Sequence, residues 1–392
     1  MRHFSQSPTD AAFVQDPYLF YHRMRDSGDL AWWDDYAMPC AVSYDAVQTL
    51  LRDRRFGREV PSEMAPAIPE HLAPFYAVEA HSMLELEPPR HTRLRGLVLR
   101  AFTSRRIREL APEIAALTHD VIDTLPKNTP VDLLTTFCQP IPVTVIARLL
   151  GVPDDMTPQL LRWSNAMVAM YQASRTRDTE EAAASAAKEF SEFLRRYVDT
   201  RRTDPRDDLI THLIAAEEDG ERLSTDELIT TCILLLNAGH EATVHALGNG
   251  VKALLQTGHS ISPETAETTC EEILRFDPPL HMFTRYAYDD LSIFGHSFKR
   301  GDQVALLLAA ANRDPTEWPA PDSFQPGRTP RQTTSFGGGL HFCVGAPLAR
   351  LEMQTALPIL FARHPALRLA KPPVYSNSYH FHGLQSLPVI LD

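Results

Sequence analysis

A single cysteine, Cys343, lies among glycines just before a segment with helical periodicity. Residues 336–345 read Phe-Gly-Gly-Gly-Leu-His-Phe-Cys-Val-Gly, and the helical pattern runs from about Ala346 through Leu360. At the start of a helix, backbone N–H groups and the helix dipole favour an anion, so a thiolate is stabilised there. Glycines let the backbone pass close to a flat, bulky group. Such a loop can present one sulfur as the axial ligand of a haem, although an arbitrary lone cysteine is more often a small buried hydrophobic residue.

The stretch 336–345 resembles the haem-binding loop of the cytochrome P-450 family. That family's pattern is Phe, Gly, any residue, Gly, any residue, His or Arg, any residue, Cys, any residue, Gly, and every fixed position is met here. The resemblance implies that Cys343 is the proximal thiolate ligand of the iron of haem b, and that His341 bonds a haem propionate. A thiolate ligand donates electron density to the iron and favours cleavage of the O–O bond of dioxygen, the implied co-substrate.

A second segment, about 224–255, is predicted to form one long helix. Ser224 and Glu227 have the spacing of an N-cap and its capping-box acid. Residues recur at helical spacing along one face, at positions 234, 237, 238, 241, 242 and 245. The small residues Ala238 and Ala242 and the polar residues Asn237 and Glu241 occupy this face where a core would carry Leu or Ile, and the small residues indicate close approach to a ligand.

The middle of this helix, Ala238 to Thr243, resembles the central helix of the same family, whose signature is Ala or Gly, Gly, any residue, an acid, Thr, then Thr or Ser. Glu241 matches the acid. The following residue is usually a Thr whose hydroxyl supports proton delivery to dioxygen, but here it is Ala242. Thr243 lies about 100° farther round the helix, so its hydroxyl should not face the iron. Two replacements stay open: an ordered water held by Glu241, or a hydroxyl on an oxygenated substrate, as some natural-product hydroxylases of the family carry Ala here.

Basic residues outside the cysteine loop are candidate ligands of an anion. A helix is predicted to open after Pro88-Pro89 and to run to about Phe102, with His91 and Arg95 on one face. By spacing alone, these two residues either bind an anion or form a solvated basic face. The resemblance implies that both contact the haem propionates, as does Arg285 in a predicted strand over 280–288.

Glu272 and Arg275 are three residues apart on another predicted helix. The default interpretation is a surface ion pair that contributes about 0.5 kcal/mol or less. The segment also resembles the family's Glu-any-any-Arg motif, which implies a buried structural pair with Arg328 as a third partner from a later loop.

The substrate pocket is the least determined part of the site. Methionines at helical spacing are ordinary core residues more often than pocket residues. The resemblance nevertheless implies a pocket roof and edges, and three polar members, Asn237, His281 and His380, favour a substrate that bears oxygen or nitrogen. The candidate pocket residues are Met83, Leu84, Met167, Leu234, Asn237, Ala238, His281, Met282, Phe283, His380 and Phe381.

Composition limits the class of protein. Among 392 residues, 50 are acidic and 38 basic, which gives a net charge of −12 and argues against a nucleic-acid-binding protein. Five widely separated cysteines indicate a reducing compartment, and the polar N-terminus lacks the apolar segment of a signal peptide, so we expect a cytoplasmic protein. The fold implied by the resemblance is mainly α with a small β lobe, in a single cytochrome P-450 domain over 1–392.

The first functional hypothesis is a haem-thiolate monooxygenase that hydroxylates or epoxidises a small to medium, oxygenated organic or natural-product substrate. Its electrons would come from a ferredoxin and an NAD(P)H-dependent reductase, and we expect a monomer without a membrane or nucleic-acid partner. A group of basic residues either contributes to the ferredoxin-docking face on the cysteine side or forms a solvated face: Arg100, Arg105, Arg106 and Arg108. The alternatives are a peroxide-driven haem oxygenase or dehydratase of the same fold, and a non-catalytic haem- or ligand-binding protein.

Overall fold

The computed structural model describes residues 1–172, 175–218, 221–379 and 381–392. Most of this chain is helical, as the sequence predicts. Its α-helices are α1 (Ala11–Gln15), α2 (Tyr18–Arg25), α3 (Tyr44–Arg52), α4 (Ala73–Glu79), α5 (Arg90–Ala101), α6 (Ser104–Glu109), α7 (Ala111–Asp123), α8 (Pro140–Leu150), α9 (Thr157–Val168), α10 (Arg177–Thr203), α11 (Leu209–Ala215), α12 (Thr225–Thr257), α13 (Ala266–Phe276), α14 (Leu308–Ala311) and α15 (Ala346–Arg363).

The strands of the described residues are short and form five small sheets. They are β1 (His3–Phe4), β2 (Leu30–Trp33), β3 (Met38–Ala41), β4 (Phe56–Gly57), β5 (Pro130–Asp132), β6 (Glu217–Glu218), β7 (Glu221–Arg222), β8 (Met282–Ala287), β9 (Leu291–Ile293), β10 (His296–Phe298), β11 (Gln303–Leu307), β12 (Arg368–Leu369), β13 (Val374–Tyr375), β14 (Leu384–Ser386) and β15 (Pro388–Ile390). The largest sheet has six strands in the order β1-β2-β3-β11-β8-β4. The predicted fold class, mainly α with a small β lobe, is confirmed.

The chain divides into two compact units. The first unit comprises Met1–Met64, Glu113–Gln139 and Ala242–Asp392, and the second comprises Ala65–Pro112 and Pro140–Glu241. The boundary between them falls within α12. The organisation as a single domain stays a prediction from the resemblance.

The six-stranded sheet of the first unit positions one strand that carries candidate site residues. Strand β8 pairs antiparallel with β11, with Arg285 opposite Val304 and Phe283 opposite Leu306. Because side chains alternate along a strand, Phe283 and Arg285 project from the same face. Val304 and Leu306 are fully buried, so the strand is anchored in an apolar core.

In the second unit, the helices pack through aromatic and ionic contacts. Trp163 of α9 stacks on Phe190 of α10, with ring centroids 5.1 Å apart. Near the end of α10, Arg201 donates to a carboxylate oxygen of Asp208 at 2.6 Å, and both side chains are buried. These contacts hold the long helix α10 beside α9 and α11.

Helix α12 begins as predicted. The Ser224 N–H donates to Glu227 Oε2 at 2.8 Å, and the Glu227 N–H donates to Ser224 Oγ at 3.2 Å, which completes the reciprocal capping box. The helix then runs unbroken to Thr257. No helix in the described ranges is both long and apolar enough to cross a membrane.

Candidate active site

Cys343 lies in a closed loop of the first unit, three residues before α15 begins at Ala346. The Cys343 N–H donates to the Phe336 carbonyl at 3.0 Å, so the two ends of the loop are tied together. The Gly337 N–H donates to the Thr334 carbonyl at 2.8 Å and fixes the entry to the loop. The thiol is therefore presented at the N-terminal end of an 18-residue helix, where the helix dipole stabilises a thiolate.

Two glycines of this loop are required by its backbone. Gly337 and Gly339 have φ angles of 68° and 63°, in the left-handed region that glycine adopts without penalty. A Cβ atom on Gly339 would also lie far inside contact distance of the Leu51 carbonyl oxygen and 3.1 Å from Arg52 Cα. The loop can pack on the end of α3 only because position 339 has no side chain.

Cys343 differs from the other cysteines in its exposure. Cys40, Cys138, Cys232 and Cys270 are buried, and burial raises the pKa of the Cys232 thiol to about 12. Of the five cysteines, all within the described residues, Cys343 alone is exposed. An accessible sulfur can reach a group bound beside the loop, so the exposed Cys343 thiol and the glycine loop fit a haem held through sulfur.

Two side chains of the first unit, Arg285 and His341, are predicted to contact the haem propionates. Arg285 is buried in β8, and its Nη1–H donates to the Thr284 carbonyl at 2.8 Å. Its guanidinium lies 5.9 Å from the centre of the Phe283 ring. His341 ends a 3-10 turn over Gly339–His341 and is partly exposed.

The sequence did not identify Arg350, which also supports the loop. Its guanidinium lies 4.4 Å from the centre of the Phe336 ring, and it forms an ion pair with Glu271 of α13. Arg350 therefore links the first residue of the cysteine loop to a neighbouring helix. Arg350 lies on α15, which begins after Cys343, and no motif in the sequence indicated its contacts with Phe336 and Glu271.

In the second unit, α5 carries His91 and Arg95 one turn apart, as predicted. His91 is 1% exposed, whereas Arg95 is partly exposed. Their common face therefore presents a buried imidazole and a more accessible guanidinium.

A buried ionic cluster surrounds Glu272 in the first unit. Arg275 donates to both oxygens of Glu272, at 2.7 and 2.8 Å, and each side chain is 1% exposed. Arg328 Nε lies 3.2 Å from Glu272 Oε2. Arg275 also donates to the carbonyls of Asn312 and Ser323. Through these bonds, Arg275 connects α13 to the chain segments that follow β11, which is a structural role.

Along α12, exposure follows the face predicted from the sequence. Positions that are accessible or partly accessible include 234, 237, 238, 241, 242 and 245. Glu241 has a side chain that is 21% exposed, and Ala242 is partly accessible, whereas Thr243 is only 3% exposed. The Thr243 hydroxyl thus lies off the face that carries Glu241 and Ala242.

Pocket candidates of the second unit lie on α9, α12 and the segment after α4. Met83 and Met167 are buried, whereas Leu84 and Leu234 are partly exposed and Ala238 is exposed. Asn237 Nδ2 lies 3.7 Å from the Met167 sulfur, and Asn237 Oδ1 is buried without a hydrogen-bond partner in the part of the chain that the structure describes. The structure therefore brings Asn237 and Met167 together.

Pocket candidates of the first unit lie at the start of β8 and in the segment before β14. His281 is fully buried, and its Nδ1 lies 2.9 Å from the Tyr21 hydroxyl, which also bonds to the Tyr379 hydroxyl. Burial lowers the pKa of His281 well below its usual value, so the imidazole is neutral. Phe381, Met282 and Phe283 are partly exposed, with the Phe381 ring 6.1 Å from that of His245. His380 lies outside the described residues.

A family model, related sequences and solved structures all indicate the same protein family. The Cytochrome P450 family model matches residues 42–259 and 264–365. The chain is 38% identical to the polyketide biosynthesis cytochrome P450 PksS of Bacillus subtilis, over 98% of each chain. It is 35% identical to 6-deoxyerythronolide B hydroxylase of Saccharopolyspora erythraea, over 97% of each chain. A crystal structure of P450BioI, in complex with an acyl carrier protein ligated to hexadec-9Z-enoic acid, superposes with a TM-score of 0.92 at 32% identity, covering 98% of this chain and 100% of that one.

The chain therefore belongs to the cytochrome P450 family. It is an oxidoreductase of the monooxygenase type, with the haem and dioxygen that this family uses. The expected family and enzyme class are confirmed.

Proposed function

We propose that this monooxygenase hydroxylates or epoxidises a small to medium, oxygenated natural-product substrate, and that a substrate hydroxyl takes part in proton delivery. The observation that carries this proposal is the accessible face of α12, where Ala242 follows Glu241 and the Thr243 hydroxyl is buried. Two relatives are named for polyketide biosynthesis and for 6-deoxyerythronolide B hydroxylation, which supports a natural-product substrate.

In this proposal the cofactor is haem b, and Cys343 binds its iron as a thiolate. When bound, the haem activates dioxygen for insertion of one oxygen atom into the substrate. The propionate partners are Arg285 and His341 of the first unit and His91 and Arg95 of the second. Cationic and imidazole donors suit carboxylates because charge-assisted hydrogen bonds are stronger than neutral ones.

The remaining steps depend on side chains of this protein. Glu241 holds a proton at its carboxyl group, and a substrate hydroxyl replaces the missing threonine hydroxyl beside Ala242. Asn237 Oδ1 is a buried acceptor that lacks a partner among the described residues, which costs about 1–3 kcal/mol, so a substrate donor that reached it would be favoured.

The test of substrate assistance is Ala242→Thr, assayed with a substrate found by a screen for the shift in the haem spin state. We expect the variant to form no more product per NADH consumed than the parent does. With an analogue that lacks the hydroxyl, the added threonine should instead raise this coupling. A several-fold rise with the true substrate would mean that an ordered water, not the substrate, delivers the proton.

Electrons are proposed to come from a ferredoxin and its NAD(P)H-dependent reductase. Arg100 and Arg105 are exposed at the end of α5 and in α6, which suits an acidic partner, although Arg105 is paired with Glu109 and Arg106 with Asp207. Turnover with NADH, ferredoxin and reductase, compared with turnover by peroxide alone, separates this proposal from a peroxide-driven oxygenase or dehydratase. Tight ligand binding without turnover would favour a non-catalytic haem protein. The contribution of Arg108, the monomeric state and the cytoplasmic location stay predictions.

A further inference from the structure

His240, the residue before Glu241 on α12, has a defined tautomer. Its side chain is fully buried, and its Nδ1 lies 2.8 Å from the Leu236 carbonyl oxygen one turn earlier. A carbonyl oxygen only accepts, so Nδ1 carries the hydrogen. In a neutral imidazole the other nitrogen, Nε2, would then have only a lone pair.

The Nε2 atom faces the acid that the proposed function places in proton delivery. It lies 3.5 Å from Glu241 Oε2. A lone pair on Nε2 opposite an ionised carboxylate is repulsive, and burial strengthens this repulsion because little water screens it. The contact becomes favourable when one proton lies on either partner, as an imidazolium with a carboxylate or as an imidazole with a carboxylic acid.

The surroundings keep His240 in this position. A Cβ atom at the preceding Gly239 would lie 3.2 Å from the Ile146 side chain of α8, so the two helices pack closely beside the pair. The imidazole has no exposed surface, whereas the Glu241 side chain is 21% exposed. The acid is therefore the member of the pair that can exchange protons with a substrate or with solvent.

We propose that His240 and Glu241 share one proton, and that His240 is a positioning residue that keeps this proton available at the Glu241 carboxyl. The shared proton moves from His240 Nε2 to Glu241 Oε2 as the imidazolium becomes neutral, and Glu241 then gives it up, which leaves a neutral imidazole and an ionised carboxylate. A proton taken up from solvent through Glu241 restores the pair, and no electrons pass through it. The role of this proton in turnover rests on the proposed function, but the sharing itself does not.

The sharing is tested spectroscopically, without turnover. Histidine ring nitrogens are labelled with ¹⁵N and observed in the diamagnetic, reduced, carbon-monoxide-bound holoenzyme, with the His240 signal assigned by its loss in His240→Gln. The carboxylic C=O stretch of Glu241 is sought by infrared spectroscopy as a band that Glu241→Gln removes. We expect either an imidazolium signal or a protonated carboxyl band at neutral pH. A neutral imidazole together with an ionised carboxylate would overturn the proposal.

The role in turnover is tested with two substitutions. His240→Asn can keep a donor near the Leu236 carbonyl, and His240→Gln can keep one near Glu241, but neither side chain holds an exchangeable extra proton. We expect both to lower the coupling of NADH to product several-fold and to raise the solvent deuterium isotope effect on product formation. The carbon-monoxide spectrum and thermal midpoint should stay those of the parent. Unchanged coupling and isotope effect in a folded variant would refute the role.

His364 offers a matched control. It is also buried, with Nδ1 3.1 Å from the Asp392 carbonyl and 3.3 Å from its carboxylate, but it lies at the end of α15. His364→Gln should leave coupling unchanged. If the parent itself shows no NADH-driven turnover, the proposed function fails while the spectroscopic result still decides whether the proton is shared.

Discussion

Gly339→Ala should displace the cysteine loop and weaken haem binding. The φ angle of 63° costs an alanine about 1–2 kcal/mol. The new Cβ would also press on the Leu51 carbonyl, and overpacking of this kind costs about 1–3 kcal/mol more. Haem binding requires the loop to return to the parent position, and this return must overcome the overpacking cost of about 1–3 kcal/mol. Haem affinity should therefore fall by about 5- to 150-fold.

Gly258→Ala is the matched control, because Gly258 has a φ angle of 69° and no heavy atom of the described residues lies within 4 Å of an added Cβ. It therefore shares the conformational cost without the clash. Haem affinity is measured by titrating the apoprotein and following the Soret band. We expect Gly258→Ala to bind haem as the parent does and Gly339→Ala to bind it more weakly. Equal haem affinities of the two alanine variants would refute the argument that the α3 contact sets the loop position.

Two further predictions concern buried charges. Glu272→Gln leaves the Arg275 guanidinium buried without its carboxylate, at a cost of about 3–5 kcal/mol. With an unfolding entropy of roughly 0.8 kcal/mol/K for 392 residues, the thermal midpoint should fall by about 4–6 °C. Glu109→Gln, which breaks the exposed pair of Glu109 with Arg105, should leave the midpoint unchanged. Burial holds the pKa of His382 well below that of an unfolded histidine, so the unfolded chain binds the extra proton and the free energy of unfolding falls as pH drops below about 6.5. In urea unfolding, His382→Phe should reduce the loss of this free energy between about pH 6.5 and 5.5 by about 1 kcal/mol. An unchanged loss would contradict this prediction.

Local patterns in the sequence predicted the elements that carry the candidate site residues. The cysteine loop and its helix, the capping box at Ser224 and the accessible face of α12 depend on spacing within one or a few turns. Such features are set by neighbours in the chain. They could therefore be found without knowing what packs against them.

Features that depend on distant residues could not be predicted. His281 bonds to Tyr21, which is 260 positions away, and this contact places a candidate pocket residue in a buried polar network. The need for glycine at position 339 comes from Leu51, which no local pattern indicates. His240 was missed for another reason: adjacent residues on a helix point about 100° apart, so spacing alone gave no sign that its ring approaches Glu241.

The most direct test of the account is the carbon-monoxide difference spectrum of the purified, reduced protein. Thiolate ligation by Cys343 predicts the red-shifted Soret band that is characteristic of this coordination. Cys343→Ser should abolish the band, whereas Cys270→Ser, at a buried cysteine, should keep it. A preparation that stays colourless after haem reconstitution, or a Cys343→Ser variant that retains the band, would contradict the central claim.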